Sequence, residues 1–408
     1  MNGDPGAVGR EMRRLRELRG LSMGELAARI SYSQQYVSLI ELGTRPAPAA
    51  LVARVDDVLA ADGALLALAA AQALQRRLEG AAQESTELAL LAREEPVSDL
   101  SRDRFFREVA TVAQKYVHEP PVPLLNSLLR TRGRIHRALQ SGPRPHRERD
   151  LYLVGAVAVQ LLGEITDDLA GHTAAAMAHV TAAQDLAAAA GHQGLAAWVA
   201  GTKGLIVEWS PKPAGALEIL AEAASWAPPG EPRVRLLALQ ARCASRVGDA
   251  ALVRSAAVQA ERAAEETLEE DEVSAFGGAM RFPTAKLAYY LGGAFRRIGD
   301  HQQAERWGLD AIERYASGPP FLRSYGDEGL ARIDVGLARL GRNEIDGAQE
   351  VLAPLLQLSP DRRISPIMGE MRTVTETLHT HRHADAPAAK NLAEAIIAYT
   401  GRPRLVLR

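Results

Sequence analysis

Two adjacent amide side chains, Gln34 and Gln35, have the most distinctive binding chemistry in this sequence. A glutamine amide donates and accepts at once, so it can pair with N6 and N7 of one adenine, a contact worth about 1–3 kcal/mol of discrimination between bases. Ser33 precedes the pair, and Tyr36 and Ser38 follow it. This polar run predicts a surface that contacts the edges of base pairs.

The run falls where a short helix should begin. Ser33 has the type and position of an N-cap for a helix from Gln34 to Leu42, and Gly43 is placed to end that helix. The free N–H groups at the start of a helix, together with Ser33, also suit a phosphate. Thr44 and Arg45 come directly after the helix and are placed to contact a nucleic-acid backbone.

Two more helices must position this one. The first is predicted from Val8 to Arg19 and ends at Gly20, and the second begins after Ser22, which forms a capping box with Glu25. A turn at 30–32 leads to the third. Helix, tight turn and helix within about 20 residues is the helix-turn-helix arrangement, in which the second helix of the motif enters the major groove.

Residues 8–70 resemble the XRE (phage Cro/CI-repressor-like) DNA-binding domain, a five-helix unit. The matching positions are Arg16 to Ser22, Glu25 to Ala27, Ser33 to Ser38, Ile40-Glu41 and Gly43 to Pro46. The resemblance implies direct base contacts by the two glutamines. It also implies that Arg16 pairs with Glu41 to hold the scaffold rather than to contact DNA.

The sequence departs from the family pattern at two positions. Met23 replaces the glutamine that usually begins the second helix and clamps a phosphate, and Ser31 replaces the glycine usual in the turn. Residues 1–45 hold seven arginines against five acidic residues, so each neutralised phosphate matters and we expect weak non-specific binding. A homodimer, the usual arrangement in the family, would double the contacts.

Composition sets the fold class. The 408 residues are 47% hydrophobic but only 5% aromatic, with abundant alanine, which predicts an all-α protein. The single cysteine, Cys243, excludes a disulfide framework, and the formal net charge of −2 excludes a generally basic coat. Apolar runs such as 64–71 are too short to cross a bilayer, and residues 2–20 lack a signal-peptide pattern, so we expect a cytoplasmic protein without membrane contact.

The chain divides by composition into three regions. Residues 1–75 carry the helix-turn-helix domain, 76–120 are predicted as a helical connector, and 121–408 repeat an apolar-periodic helix, a short turn and an Ala-rich helix. We expect the third region to bind an effector and to form the dimer. The acidic stretch that begins at Glu265, together with Phe276 to Gly278, is predicted as a surface insertion.

The clearest repeat resembles a tetratricopeptide (TPR) unit. Its positions are Leu291-Gly292, Phe295, Gly299-Asp300, Ala304 and Ala311. The resemblance extends in degenerate form over about 120–400 and implies an α-solenoid of helix pairs with a concave wall. A generic helical bundle is the alternative.

The TPR resemblance also implies which residues face inward. By their offsets they are Gln160, Glu164, Trp198, Arg235, Arg242, Lys286, Tyr289 and Arg296. Arginine, lysine, an amide and aromatic rings together suit an extended peptide, although another effector, such as a small molecule, stays open. The alternative is that these are ordinary surface residues.

No grouping in the sequence indicates catalysis, a cofactor or a metal. His379 and His383 share a helical face, but a solvated helix end explains them better than a metal site. We therefore expect a non-enzymatic, sequence-specific transcriptional regulator that binds double-stranded DNA, with a palindromic operator. The alternative is a TPR-type protein-interaction scaffold in which the helix-turn-helix is a docking or dimerising module.

Overall fold

The computed structural model describes residues 6–91, 102–140, 145–170, 174–208, 213–266, 271–382 and 384–401. Over these residues the chain forms 19 α-helices and four short 3-10 helices, with no β-strand. The all-α prediction is confirmed. Contacts divide the chain into two compact units with the boundary between Gly80 and Ala81, here called the N-terminal unit and the C-terminal unit.

The N-terminal unit contains four short helices and the first part of a long one. They are α1 (Ala7–Leu18), α2 (Met23–Ile30), α3 (Gln34–Glu41), α4 (Ala49–Val58) and α5 (Ala64–Leu91). Their core is made by side chains that are at most 1% exposed, among them Met12, Leu26, Val37, Ile40 and Leu51. Each such side chain stabilises the unit by about 1.5–3 kcal/mol relative to an exposed position.

Capping residues fix where α2 and α3 begin. Ser22 accepts a hydrogen bond from the N–H of Glu25 at 3.2 Å, and the Glu25 carboxylate accepts one from the N–H of Ser22 at 2.7 Å. This capping box confirms the predicted start of α2. Ser33 is the N-cap of α3, as its sequence position predicts.

The C-terminal unit contains fourteen further helices. They are α6 (Arg102–Tyr116), α7 (Pro121–Gln140), α8 (Pro145–Ala170), α9 (Ala174–Ala189), α10 (Gln193–Glu208), α11 (Ala214–Trp226), α12 (Glu231–Arg246), α13 (Ala250–Glu265), α14 (Thr284–Arg297), α15 (His301–Ser317), α16 (Tyr325–Gly341), α17 (Ile345–Leu356), α18 (Ser365–Thr380) and α19 (Pro387–Gly401). Helix α6 lies in the segment 76–120 that was predicted as a connector, and it packs against α7 and α8.

The helices from α8 onward pack as consecutive pairs in a series. Each odd-numbered helix from α9 to α19 packs on the helix before it, and the first helices α8, α10, α12, α14, α16 and α18 contact one another in that order. Helix α18 also contacts α8. The row of first helices therefore closes on itself, whereas the predicted solenoid has an open concave wall.

The clearest predicted repeat corresponds to α14 and α15. A Cβ added to Gly292 would lie only 3.1 Å from the backbone nitrogen of Gly308 and 3.3 Å from the carbonyl oxygen of Ala304, so the two helices cross closely there. Gly299 has a φ of +77° and makes the turn between the helices. Small residues at the crossing and a glycine in the turn match the prediction, while the relation to TPR units stays a prediction.

The predicted surface insertion was wrong at its C-terminal end. Phe276 is fully buried, and its ring centroid lies 4.3 Å from that of Phe106 on α6. A Cβ at Gly278 would overlap the carbonyl oxygen of Ala113, so the backbone packs directly on α6. Residues 267–270 of the acidic stretch lie outside the described part of the chain.

Candidate functional site

The start of α3 presents the two glutamines. Ser33 Oγ accepts a hydrogen bond from the N–H of Tyr36 at 3.2 Å, which fixes the first turn of the helix. Val37 and Ile40 on α3 are buried in the core of the N-terminal unit. Gln35 lies on the side of the helix away from Val37, Gln34 is the first residue of the helix, and both side chains are exposed.

The neighbouring polar residues lie around this turn. Ser33 is exposed, whereas Tyr36 and Ser38 are half-buried. Gln34 Oε1 lies 3.5 Å from the point where a Cβ on Gly24 would stand, so the amide lies beside the start of α2. The structure thus brings the five predicted residues of the α3 surface together.

An aromatic and cationic layer follows α3. The rings of Tyr32 and Tyr36 stack with centroids 5.6 Å apart, and the guanidinium carbon of Arg45 lies 4.8 Å from the Tyr36 centroid. Arg45 is exposed and can reach a phosphate. Thr44 donates its hydroxyl to the carbonyl oxygen of Leu39 at 2.8 Å, and its N–H is bonded to the same oxygen, so Thr44 can donate to a phosphate only after its hydroxyl turns.

Arg16 and Glu41 form a buried ion pair between α1 and α3. Arg16 donates from Nε and Nη2 to the two carboxylate oxygens of Glu41, each at 2.7 Å, and from Nη1 to the carbonyl oxygen of Leu21 at 3.0 Å. The hydrogen bonds to Glu41 raise the pKa of Arg16. This pair has no solvent-directed donor to offer DNA, and it ties the end of α3 to α1.

The two departures from the family pattern have different structural results. Met23 is half-buried and packs against the core of the N-terminal unit, so an apolar contact stands where the family has an amide. Ser31 adopts a left-handed conformation with a φ of +61°. A residue with a Cβ is strained there by about 1–2 kcal/mol.

Five of the eight predicted effector residues line one cavity of about 140 Å³ inside the closed row of first helices. They are Glu164, Arg235, Arg242, Lys286 and Tyr289. The cavity lies within the C-terminal unit, at the centre of the ring that α8 to α18 form.

For the other three residues the predicted position on the wall was wrong. Trp198 is 1% exposed and lies under the Arg235 guanidinium, whose carbon is 4.6 Å from the ring centroid. Gln160 is fully buried and donates to Thr202 Oγ1 at 2.5 Å. Arg296 donates to Asp334 at 2.5 Å. Because the first helices close into a ring, positions that would face an open groove are packed between helices instead.

Opposite charges meet across the cavity. Glu164 lies 3.6 Å from an Arg235 nitrogen, and Lys286 Nζ lies 3.5 Å from an oxygen of Asp327. Burial raises the pKa of Glu164. Burial alone would lower the pKa of Lys286, but the nearby carboxylate of Asp327 raises it. Both carboxylates also accept a hydrogen bond from a neutral side chain, Glu164 from Gln160 at 3.0 Å and Asp327 from Tyr315 at 3.2 Å.

The sequence interpretation missed Tyr116 and Asp168. The Tyr116 hydroxyl donates to Asp168 at 2.5 Å, and both line the cavity. Burial, with the nearby carboxylates Asp167 and Glu164, raises the pKa of Asp168 to about 7. The signal available in the sequence was the adjacent pair of aspartates near the end of α8, after its apolar central part. Tyr116 lies on α6, which no repeat pattern connected to this site.

The remaining candidate is the histidine cluster. His379 is in the last turn of α18, and His383 lies outside the described residues. Within the described ranges, no three His, Cys, Asp or Glu side chains are arranged to hold a metal ion. In the same part of the chain, no helix combines the length and the hydropathy needed to cross a membrane.

Comparison with known proteins gives one match. Residues 7–69 match the family model of a helix-turn-helix domain, which spans α1 to α4 and the start of α5. No curated protein and no solved structure shows significant similarity to the chain. The chain therefore carries a helix-turn-helix domain in its N-terminal unit, and this domain suggests DNA binding.

Proposed function

We propose that the protein is a sequence-specific, DNA-binding transcriptional regulator of the XRE type. The observation that carries the proposal is the pair of exposed amides, Gln34 and Gln35, on the first turn of the second helix of the helix-turn-helix. In this arrangement the first turn meets base edges in the major groove. Ser33 and Arg45, both exposed, would contact the phosphates on either side.

The protein would bind as a homodimer to a palindromic operator. One N-terminal unit offers few cations for phosphate contacts, because Arg13 and Arg14 pair with acidic neighbours on α1 and Arg16 is buried with Glu41. Affinity at physiological salt rises steeply with the number of phosphates neutralised. Two heads on two half-sites would double that number.

The TPR-like C-terminal unit would bind an effector and control the dimer. Support comes from its cavity, which is lined by charged and aromatic side chains, the kind of lining that can bind a polar ligand. An effector can shift DNA binding only by the difference in its affinity for the two arrangements of the dimer. The cavity would therefore have to change between them.

The test begins with the full chain and a random duplex library, from which bound sequences are selected at fixed salt. On the selected site, Gln34→Ala and Gln35→Ala should each cost about 1–3 kcal/mol, or about 5-fold to 150-fold in affinity. Binding to a shuffled duplex should hardly change, because the glutamines contact bases rather than phosphates. Gln259→Ala is the matched control, since this exposed amide bonds only to Ser255 on its own helix.

Two results would contradict the proposal. Equal losses on the selected and the shuffled duplex would show that the glutamines do not distinguish bases. Failure to select any sequence would favour the interaction scaffold, in which the helix-turn-helix serves as a docking or dimerising module.

A further inference from the structure

We propose that the cavity of the C-terminal unit binds a small organic cation that carries an ammonium group. This inference names the chemical class of the effector in the proposed function. Ligand binding can be tested by itself; only the regulatory role of the ligand rests on the proposed function. It rests on three features of the cavity, which are its size, its excess of carboxylates and one carboxylate without a cation.

The volume of the cavity suits a small molecule. It is about 140 Å³. An apolar cavity of about 150 Å³ accommodates benzene, so this one has room for a molecule of about six to eight non-hydrogen atoms. A short amine has that size.

Carboxylates outnumber available cations around the cavity. Those that line it are Glu164, Asp167, Asp168 and Asp327. The cations that line it are Arg235, Arg242 and Lys286.

The three cations already have partners. Arg242 donates to Glu208 at 2.8 Å, and Glu208 does not line the cavity. Arg235 and Lys286 face Glu164 and Asp327, at 3.6 Å and 3.5 Å. None of these cations is paired with Asp168, so this carboxylate is the one that a bound cation would meet.

Asp168 is where the ammonium group would bind. Its hydrogen bond comes from the neutral Tyr116 hydroxyl on α6, and over the described part of the chain no cation pairs with it. The charged groups around it are Asp167 and Glu164 on its own helix and Asp327 on α16, all of which oppose its ionisation. An ammonium ion beside Asp168 would reverse that effect.

Arg235 offers a second anchor. Its Nε is buried, and among the described residues nothing accepts a hydrogen bond from it. Its other two nitrogens donate to the carbonyl oxygen of Trp198 at 2.5 Å and to Thr202 Oγ1 at 2.7 Å. A buried donor without an acceptor is costly, so a hydroxyl or carboxylate on the ligand would gain this contact. The ligand can thus be a simple amine, or a zwitterion whose carboxylate contacts Arg235.

Calorimetry on the full chain without DNA tests the proposal with four probes. The probes are n-butylamine, n-butanol as its neutral match, 4-aminobutyrate as the zwitterion, and magnesium chloride. We expect n-butylamine to bind and n-butanol not to bind. If 4-aminobutyrate binds more tightly than n-butylamine, the group of the ligand that contacts Arg235 is a carboxylate.

A variant identifies the site. Asp168→Asn keeps the shape and the acceptor for Tyr116 but removes the charge, and it should weaken amine binding by about 10-fold to 100-fold, the worth of one charge-assisted hydrogen bond. Asp249→Asn is the matched control, because Asp249 caps α13 outside the cavity and asparagine caps equally well. Circular dichroism confirms that both variants are folded.

Proton release gives an independent readout. Since the pKa of Asp168 is about 7, amine binding at pH 7 should release up to about half a proton, seen as different apparent enthalpies in phosphate and Tris. Asp168→Asn should abolish that difference. Equal binding of n-butanol, binding of magnesium alone, or unchanged affinity in Asp168→Asn would overturn the proposal. DNA binding is measured separately, so its loss or retention does not affect this outcome.

Discussion

Removing the Glu41 carboxylate should open the N-terminal unit locally. In Glu41→Ala, the Arg16 guanidinium stays buried, at 7% exposure, and loses two hydrogen bonds of 2.7 Å. It keeps a hydrogen bond to the carbonyl oxygen of Leu21 and lies 3.8 Å from the exposed carboxylate of Glu17, which is a weaker partner than the buried Glu41. Breaking a buried pair by removing one member costs about 3–5 kcal/mol.

Hydrogen exchange measures that cost in the full chain. A loss of about 3 kcal/mol corresponds to about 150-fold faster exchange of the protected amides of α1 and α3, while amides of α14 and α15 in the C-terminal unit should not change. Glu11→Ala is the matched control, because Glu11 pairs with Arg14 on the surface of α1 and its loss should leave exchange unaltered. The double variant Arg16→Met/Glu41→Leu should exchange nearly as slowly as the parent, since neither charge is then buried.

The comparison of the single and double variants tests whether an unpaired buried charge causes the loss of stability. If Glu41→Ala accelerates exchange by less than tenfold, the pair does not hold α3. If the double variant exchanges as fast as the single one, the loss of shape rather than an unpaired charge is responsible.

Three further predictions concern a turn, a helix crossing and the cavity. Ser31→Gly relieves the left-handed strain at a smaller cost in chain entropy, so it should stabilise the N-terminal unit by about 0.5–1 kcal/mol, seen as slower exchange in α2 and α3; faster exchange would show that Ser31 is unstrained. Gly9→Ala should destabilise that unit by about 1–3 kcal/mol, because its Cβ would overlap the carbonyl oxygen of Ile40; unchanged exchange in α1 would refute this close contact. The pKa of Asp168 is raised from 3.8 to about 7 on folding, so the folded state holds a proton that the unfolded chain loses, and stability should fall as pH rises from about 4 to 7. In thermal unfolding, Asp168→Asn should flatten that fall, and identical pH profiles for the two proteins would contradict the shift.

Local features of the N-terminal unit could be predicted because the sequence carries their causes at short range. Ser22 with Glu25 and Ser33 before Gln34 are capping patterns that act within four residues, and each fixes a helix start where it was expected. The left-handed Ser31 lies in the turn where the family usually has glycine. Exposure of Gln35 then follows from helical periodicity, since the buried Val37 two residues further on lies on the other side of the helix.

Features of the C-terminal unit that depend on distant contacts could not be predicted in this way. Offsets within a helix pair predict that Glu164 and Lys286 face inward, and both line the cavity. The same offsets say nothing about the contact between α8 and α18, which closes the row of first helices. Trp198 was predicted on an open wall because its offset in the repeat carries no information about that contact. Tyr116 reaches the cavity from a helix outside the repeats, and Phe276 packs on the same helix, so neither position has a periodic signal.

The contact between α18 and α8 also fixes the number of helix pairs. An open array of repeats tolerates the gain or loss of a unit, because each unit touches only its neighbours. Here α18, the first helix of the last pair, must contact α8, the first helix of the earliest pair. Deleting a pair such as α12 and α13 would leave the ring too short to close, and duplicating it would make the ring too long. We therefore expect relatives of this unit to keep six pairs and to differ in substitutions and loop lengths, whereas open arrays can also lengthen by copying a pair.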